Sequence, residues 1–479
     1  MKSYQAELSA RIAEERAAVE LIKITSDLSF ERSIELTIFR NKLIDKRSSE
    51  ILNLHEYATN FVVKPINIFE TLPIAKEIKV SSLSPSKIDI GKLTFEWINE
   101  KEKYKNITSF IHDKLKFINE ESVNIEPKDV VLYGFGRIGR LLARELMAQE
   151  GKGEQLRLRA IVLRKNDDQN IIKRASLLRT DSVHGKFPGT VVEDLENKTL
   201  VINGQSVQLI KASCPEEIDY TLYGIENALV IDNTGVYRDK EALSRHLQAK
   251  GTSKVLLTAP GKKIPNIVFG ANHLEYKIDS HDIFSAASCT TNAITPILKV
   301  VSDKLGINKG HIETVHAYTN DQNLVDNMHK NERRGRAAAL NMVITSTGAG
   351  NAVVKVIPSL KGKLTANAVR VPTPNGSLAI LNLSIDSKTS IDEFNNIIKK
   401  AALNGPLVEQ ISYSISHELV STDIVGNNSA AIFDSPATIV SRDGRNIVLY
   451  VWYDNEYGYS RQVMRLAKYI SKVRRPMNY

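Results

Sequence analysis

Cys289 stands in the stretch SAASCTTNAITP (285–296), between small hydroxyl residues at the start of an apolar run. Ser288 to Asn292 read as a cap followed by a first helical turn. A thiol at a helix N-terminus faces unpaired N–H groups and the positive end of the dipole, and both favour thiolate, the nucleophilic form. A lone cysteine can also pack as a small hydrophobe. A reactive one needs a base, a grip on its substrate and a cofactor, and the rest of the chain must supply them.

A candidate base is His316 in ETVHAYTNDQ, 27 residues after Cys289. Thr319 follows it closely, and HKNERRGR supplies Arg333, Arg334 and Arg336. The small-residue turn STGAG (346–350) offers Thr347 and Gly348 as hydroxyl and backbone donors. Arg370 sits in the otherwise apolar strand pattern AVRVPTPN. A buried Arg must have a partner, and phosphate oxygens suit its planar fork. Each residue alone has an ordinary structural explanation; together they predict a pocket for a phosphorylated substrate.

The cofactor signal is DVVLYGFGRIGRLLARELM, which places Gly134, Gly136 and Gly139 as G-x-G-x-x-G between an apolar strand and an amphipathic helix. Gly134 permits the tight turn, Gly136 lets a pyrophosphate approach the backbone, and Gly139 lets the helix pack on the sheet. The helix N-terminus then stabilises the phosphates. An NAD-selective site needs an acidic residue at the end of the second strand, RLRAIVLRKNDD. Arg164 and Lys165 stand there instead, followed by Asp167 and Asp168. A cation at this point pairs with the 2′-phosphate of NADP, so NADP is the expected cofactor, with dual NADP and NAD use as the second choice.

Elements that could hold these residues begin at Pro127, where short β-branched runs alternate with helical patterns, the texture of a parallel α/β sheet. After Cys289 longer strands (GHIETVHAYT, TANAVRVPT, GSLAILNLSID) predict a second domain with more antiparallel pairing. Residues 1–125 differ: only one of the 25 glycines, Gly91, lies there. This extension reads as mostly helical, with breaks near Pro65, Pro73 and Pro85. Leu8, Ile12, Val19 and Ile22 share one helical face, as do Phe30, Ile34 and Ile38. VSSLSPSKIDIGK (80–92) reads as a linker between two helical blocks.

The length of 479 residues implies roughly three domains, and 42% apolar with 25% charged residues is the make-up of a soluble globular protein. Two cysteines exclude a disulfide framework and point to a reducing cytoplasm. Four glutamates in the first twenty residues argue against a secretory or transit leader. The longest apolar run, Ile447 to Tyr453, is far too short to span a membrane and reads as a buried strand. Residues 1–125 hold 19 Lys/Arg and 19 Asp/Glu, so the whole net charge of +9 lies beyond them. That excess suits polyanionic small molecules better than nucleic acid.

The blocks YGFGRIGR, DSVHGKF, DNTGVYRDKEAL, VLLTAPGK, ASCTTN, VHAYTNDQ, TSTGAG, VRVPTPN and WYDNEYGYS occur in the order found in phosphorylating glyceraldehyde-3-phosphate dehydrogenases. The chain resembles that family from about residue 127 to 479; residues 1–125 lie outside it. The resemblance implies an NAD(P)-binding Rossmann domain (126–288), an α+β catalytic domain (289–455) and a C-terminal helix (456–479) returning to the first. It implies Cys289 as nucleophile and His316 as its partner, with Thr319 and Arg370 gripping the substrate phosphate. Ser288, Thr290, Thr347 and Gly348 would line the attacking-phosphate site, with Arg334 nearby. Arg137 and Ile138, between the glycines, and Thr234, Gly235 and Thr258 would lie along the cofactor; Asn455 would orient its carboxamide. Substrates would be glyceraldehyde 3-phosphate and inorganic phosphate, in glycolysis or gluconeogenesis, with no metal, in a homotetramer. Ala293 stands where many members have a second cysteine, Asp321 where some have Thr, and Arg164 and Lys165 where NAD-specific members have an acidic ribose ligand. The rival readings are an erythrose-4-phosphate dehydrogenase and a non-catalytic RNA-binding protein on the same fold.

Overall fold

The computed structural model describes residues 3–120, 125–148 and 153–478, which divide into two compact units.

The first unit takes the N-terminal residues to 126, together with 153–155 and 473–478. Its opening helix, Tyr4–Arg32, starts on Ser3, whose side chain accepts from the Ala6 N–H, and stops at Ser33 in the left-handed region (φ 55°). That stop separates Phe30 from Ile34, buried just ahead of the strand Glu35–Ile38, and from Ile38, which ends that strand rather than lying on a helical face. The apolar face through Leu8, Ile12 and Val19 is exposed; Ala18, Leu21, Ile24 and Leu28 form the buried one. Ala17 is buried too, and the opening helix packs against the helix Ile68–Val80. Pro73 lies inside that helix, costing one ladder bond without ending it. The expected linker 80–92 holds a strand, Lys87–Asp89, and the start of the helix Ile90–Glu100. The buried Asp89 carboxylate accepts from the N–H groups of Phe39 (2.8 Å), Arg40 (2.7 Å) and Lys92 (3.1 Å), fixing a turn in which Phe39 and Arg40 both have positive φ.

A four-stranded sheet runs Asn41–Lys42, Glu35–Ile38, Lys87–Asp89, Met477–Asn478. Its last strand comes from the far end of the chain, paired parallel to Lys87 and Ile88. Gln155 Nε2 donates to Val473 O (2.5 Å) and Lys87 N–H to Pro476 O (2.9 Å). The mostly helical extension is therefore completed by a C-terminal strand. Ending the chain at Lys472 removes fully buried Val473 as well as this strand, a loss of about 3 kcal/mol. Amide exchange at residues 87–89 should accelerate accordingly in the truncated protein, and unchanged protection there would count against the pairing.

The second unit, 127–148 and 156–472, carries two eight-stranded sheets. In the first the order is Ile283–Ser285, Thr252–Leu257, Ala228–Asp232, Lys128–Tyr133, Leu156–Leu163, Gln205–Lys211, Thr199–Ile202, Val191–Asp194. Six of these strands are parallel and the last two antiparallel. This is a doubly wound Rossmann sheet. The strand Lys128–Tyr133 is buried without alternation from Val130 onward, as covering both faces requires. The central strands of the second sheet are Leu364–Val371, Ile307–Ala317, Ser377–Ile385 and Asn446–Tyr453. The apolar run near the C-terminus buries only alternate residues. The helix Cys289–Leu305 shares this sheet's core through Ile294, Ile297, Leu298 and Val301, clustered with Leu381, Leu383 and Val451. The helix Tyr457–Ile470 ends before the last residues, which belong to the first unit. No helix among the described residues is long and apolar enough to cross a membrane.

Candidate active site

The helix begins at Cys289 itself, with Ser288 extended (φ −97°, ψ 163°) and its Oγ accepting from Thr291 N–H at 3.0 Å. Such a cap is worth about 1 kcal/mol. Asn292 Nδ2 donates to Ala286 O (2.7 Å) and Ser288 O (2.9 Å), locking the turn from below. Across it, the strand Ile307–Ala317 brings His316 Nε2 to 3.5 Å from Cys289 Sγ. His316 Nδ1 lies 2.7 Å from Ala317 O, so Nδ1–H donates there and the lone pair of Nε2 faces the sulfur. Arg370 Nη1 stands 3.0 Å from the same Nδ1. It donates to Ala317 O (2.9 Å) and Thr319 Oγ1 (3.2 Å), leaving Nδ1 its proton. The closeness follows from strand register, which sets His316 opposite Arg370.

Electrostatics differ from the expectation of a thiol lowered by the helix start. Burial pushes the Cys289 thiol up, outweighing the Arg370 cation and the Thr290 N–H, which pull it down. Burial, seconded by Arg370, brings the His316 imidazole down to about 4. At neutral pH the resting pair is thus a thiol beside a neutral imidazole whose free nitrogen can take its proton.

The cationic side chains form a connected group. Arg334 Nη1 donates to Asp321 Oδ2 (2.5 Å) and its Nε to Thr345 Oγ1 (3.0 Å), while Thr319 donates to the other Asp321 oxygen. Burial works against the Asp321 carboxylate, but Thr319 and Arg334 hold it below its ordinary range. Arg370 Nε is buried and has no partner among the described residues, a vacant donor suited to an oxyanion. Thr347 and Gly348 head the helix Ala349–Val356; Thr347 Oγ1 accepts from Ala349 N–H (3.2 Å), and a side chain at Gly348 would meet open space. Thr290 Oγ1 lies 3.0 Å from the hydroxyl of buried Tyr453.

Sequence reasoning missed the supports. The Tyr453 and His316 rings meet edge to face at 5.9 Å. Ser377 donates to Asn455 Oδ1 (2.7 Å), and its oxygen accepts from Ala317 N–H (3.1 Å). One hydroxyl thus ties the strand carrying His316 to Asn455 and leaves the Asn455 amide N–H groups to point elsewhere. Only strand register could have revealed either residue.

At the C-terminal ends of the parallel strands a cleft of about 370 Å³ is lined by Gly134, Gly136, Arg164, Arg174, Asn233 and Thr234, among others. Gly134 has φ +97°; a Cβ on Gly139 would lie 2.7 Å from Gly134 O, while one on Gly136 would project into open space. The backbone therefore leaves room for a ligand at the start of the helix Arg137–Ala148. Arg174 Nε and Asn233 Oδ1 are buried and have no partner among the described residues, so polar capacity as well as space fits a dinucleotide. Arg174 was not foreseen. Arg164 reaches the cleft; exposed Lys165 does not line it. Asp167 caps the next helix through Asn170. The Arg137 side chain leaves the cleft for Glu456 (Nη2–Oε2 2.6 Å) and Asp181 (3.2 Å), and Glu456 also meets His184 (2.9 Å). Ile138 and Thr258 do not line the cleft; Thr258 Oγ1 donates to Asp232 O (3.0 Å), and Gly235 turns the chain at φ +68° beside Thr234.

Comparison with known proteins agrees with this geometry. Residues 128–240 match the profile described as "Glyceraldehyde 3-phosphate dehydrogenase, NAD binding domain", and residues 288–455 match its "C-terminal domain". A "Glyceraldehyde-3-phosphate dehydrogenase-like protein" of Pseudomonas aeruginosa (strain UCBPP-PA14) is 48% identical over 461 residues, 95% of this chain and 99% of the relative, so the N-terminal extension is shared. "Glyceraldehyde-3-phosphate dehydrogenase 2" of Trichormus variabilis is 41% identical over 72% of this chain and 98% of its own length. "Glyceraldehyde-3-phosphate dehydrogenase 1" of Bacillus subtilis is 40% identical over 72% of this chain and 98% of its own length. With a thiol and imidazole face to face, a cation group beside them and a dinucleotide cleft on the same unit, the chain belongs to the glyceraldehyde-3-phosphate dehydrogenase family of oxidoreductases.

Proposed function

We propose that the protein oxidises glyceraldehyde 3-phosphate in the presence of inorganic phosphate to 1,3-bisphosphoglycerate, reversibly, through a thioester on Cys289, and that it prefers NADP to NAD. The observation that carries the reading is the 3.5 Å approach of Cys289 Sγ to His316 Nε2. Nε2 takes the thiol proton, and the sulfur adds to the aldehyde carbon to give a thiohemiacetal. The Cys289 backbone N–H, at the first position of the helix, and the imidazolium stabilise the oxyanion of that addition. His316 then holds the hydroxyl proton as the carbon is oxidised to the thioester. A bound nicotinamide dinucleotide supplies the acceptor for the carbon-bound hydrogen and its electron pair. Inorganic phosphate attacks the thioester carbonyl, the acyl phosphate leaves and the thiolate is regenerated. Arg370 and Thr319 suit the substrate phosphate; Arg334, Thr347 and Gly348 suit the attacking one. Turnover of glyceraldehyde 3-phosphate should therefore require inorganic phosphate, and a phosphate-independent rate would favour a hydrolytic relative acting on erythrose 4-phosphate.

The NADP preference rests on Arg164 at the cleft and on the absence of an acid among its lining residues. Arg164→Asp should raise the NADP KM by about 10- to 100-fold, the worth of one charge-assisted pair with phosphate, and leave the NAD KM nearly unmoved. Equal changes for both cofactors would show that this guanidinium does not meet the 2′-phosphate. Assembly as a homotetramer belongs to the same reading, and the mass of the full chain in solution tests it.

A further inference from the structure

Outside the thiol site and the dinucleotide cleft, the second unit holds another cavity, of about 720 Å³, at the edge strand Ile283–Ser285 of the Rossmann sheet. Lys240, Lys263 and Lys355 all line it, and none of the three ammonium groups has a hydrogen bond or ion pair among the described residues. Its one acid is Asp282. All three lysines are exposed at the cavity, and an anion seated there would meet three cations against one acid.

The cationic lip is built rather than floppy. Lys263 has φ +58°, a conformation that costs a non-glycine residue about 1 kcal/mol. It is imposed by buried Asn266, whose Oδ1 accepts from Gly261 N–H (2.9 Å) and Ser285 Oγ (3.0 Å), while its Nδ2 donates to Ile264 O (2.9 Å). Lys240 is tied to the same loop by its N–H to Lys262 O (3.2 Å), and Lys262 N–H returns to Arg238 O (2.8 Å). Two of the lysines thus rise from one fixed backbone frame. Ile264, half-buried Tyr276 and Ile283 of the edge strand line the same cavity. An apolar floor with an aromatic ring suits a planar base, the ammonium rim suits several phosphate charges, and the volume is that of a small-molecule site.

From this geometry we infer a second nucleotide site in which Lys240, Lys263 and Lys355 hold the phosphates of a nucleoside polyphosphate while its base rests on the Tyr276 floor. It is independent of the reaction proposed above. The test titrates ATP into the full-length protein saturated with NADP and reads heat. ATP should bind one site per chain that NADP does not displace. Lys240→Gln and Lys263→Gly should each weaken it about tenfold, the loss expected for one ammonium–phosphate pair. Glycine adopts φ +58° without strain, so the Lys263→Gly backbone keeps its course, and dehydrogenase turnover without ATP should equal that of the parent for both variants. Tripolyphosphate, lacking the base, should bind more weakly. Absence of ATP binding to the NADP-saturated protein, binding indifferent to both substitutions, or tripolyphosphate binding as tightly as ATP would each overturn the assignment. An apparent ATP affinity that falls as the NADP concentration is raised would place ATP in the dinucleotide cleft and overturn it as well.

Discussion

Cys289→Ser is expected to lower dehydrogenase turnover by at least about 10⁴-fold, the scale on which losing a covalent nucleophile acts. The hydroxyl replaces the thiol almost isosterically at the first position of a helix whose cap, Ser288, is untouched, so thermal stability should move by no more than a few degrees, about 1 kcal/mol. What is lost is acidity. The imidazole opposite lies within reach of the sulfur, and a hydroxyl gives up its proton to the same base far less readily than a thiol does, so the serine forms no comparable nucleophile. Steady-state turnover and a melting curve on the same sample decide the matter. Activity within tenfold of the parent, with the fold intact, would remove sulfur from the reaction and with it the proposed thioester.

What could be read in the sequence was local chemistry. The G-x-G-x-x-G turn is set by steric needs of three backbone positions, and the coordinates repeat them: a Cβ on Gly139 meets Gly134 O at 2.7 Å. The Ser288 cap is likewise a matter of four consecutive residues. Side-chain destinations were not legible, because they depend on partners brought in from elsewhere in the chain. Arg137 lies inside the glycine motif, yet its guanidinium turns to Glu456, 319 residues away. Thr290 follows the nucleophile, yet it bonds Tyr453 from a strand 163 residues on. In the extension, periodicity gave the first helix an apolar face through Leu8, Ile12 and Val19, yet those three are exposed and Ala17, Ala18, Leu21, Ile24 and Leu28 are buried instead, because the buried face is chosen by what packs against it. The strand Met477–Asn478 closes a sheet begun near residue 35, a pairing with no local signature. The thiol is the instructive disagreement: a helix start favours thiolate, but how deeply the sulfur is buried is a tertiary property, and burial is the larger effect here.

His316→Asn is the second substitution with a large expected effect, a fall in kcat of about 10² to 10⁴. Asparagine retains a polar group near Ala317 O, and Arg370 keeps its own bond to that carbonyl, so the strand and the cation group should persist and the aldehyde KM should change little. The lost feature is a single lone pair, Nε2 facing Sγ at 3.5 Å. That lone pair is asked to act twice, first on the thiol proton and then on the hydroxyl proton of the adduct. Two measurements separate the roles. Alkylation of Cys289 by iodoacetamide reports only the first and should slow at neutral pH in the variant. Turnover reports both and should fall further than alkylation does. A residue serving only to shape the pocket would alter KM and leave the pH dependence of alkylation where it was. The double variant Cys289→Ser/His316→Asn sharpens the test: if the two side chains act as one unit, it loses little more than Cys289→Ser alone. A multiplicative loss would mean that the imidazole works on something other than the sulfur and its adduct, and the proton path drawn from Nδ1–H, Ala317 O and Nε2 would then be wrong.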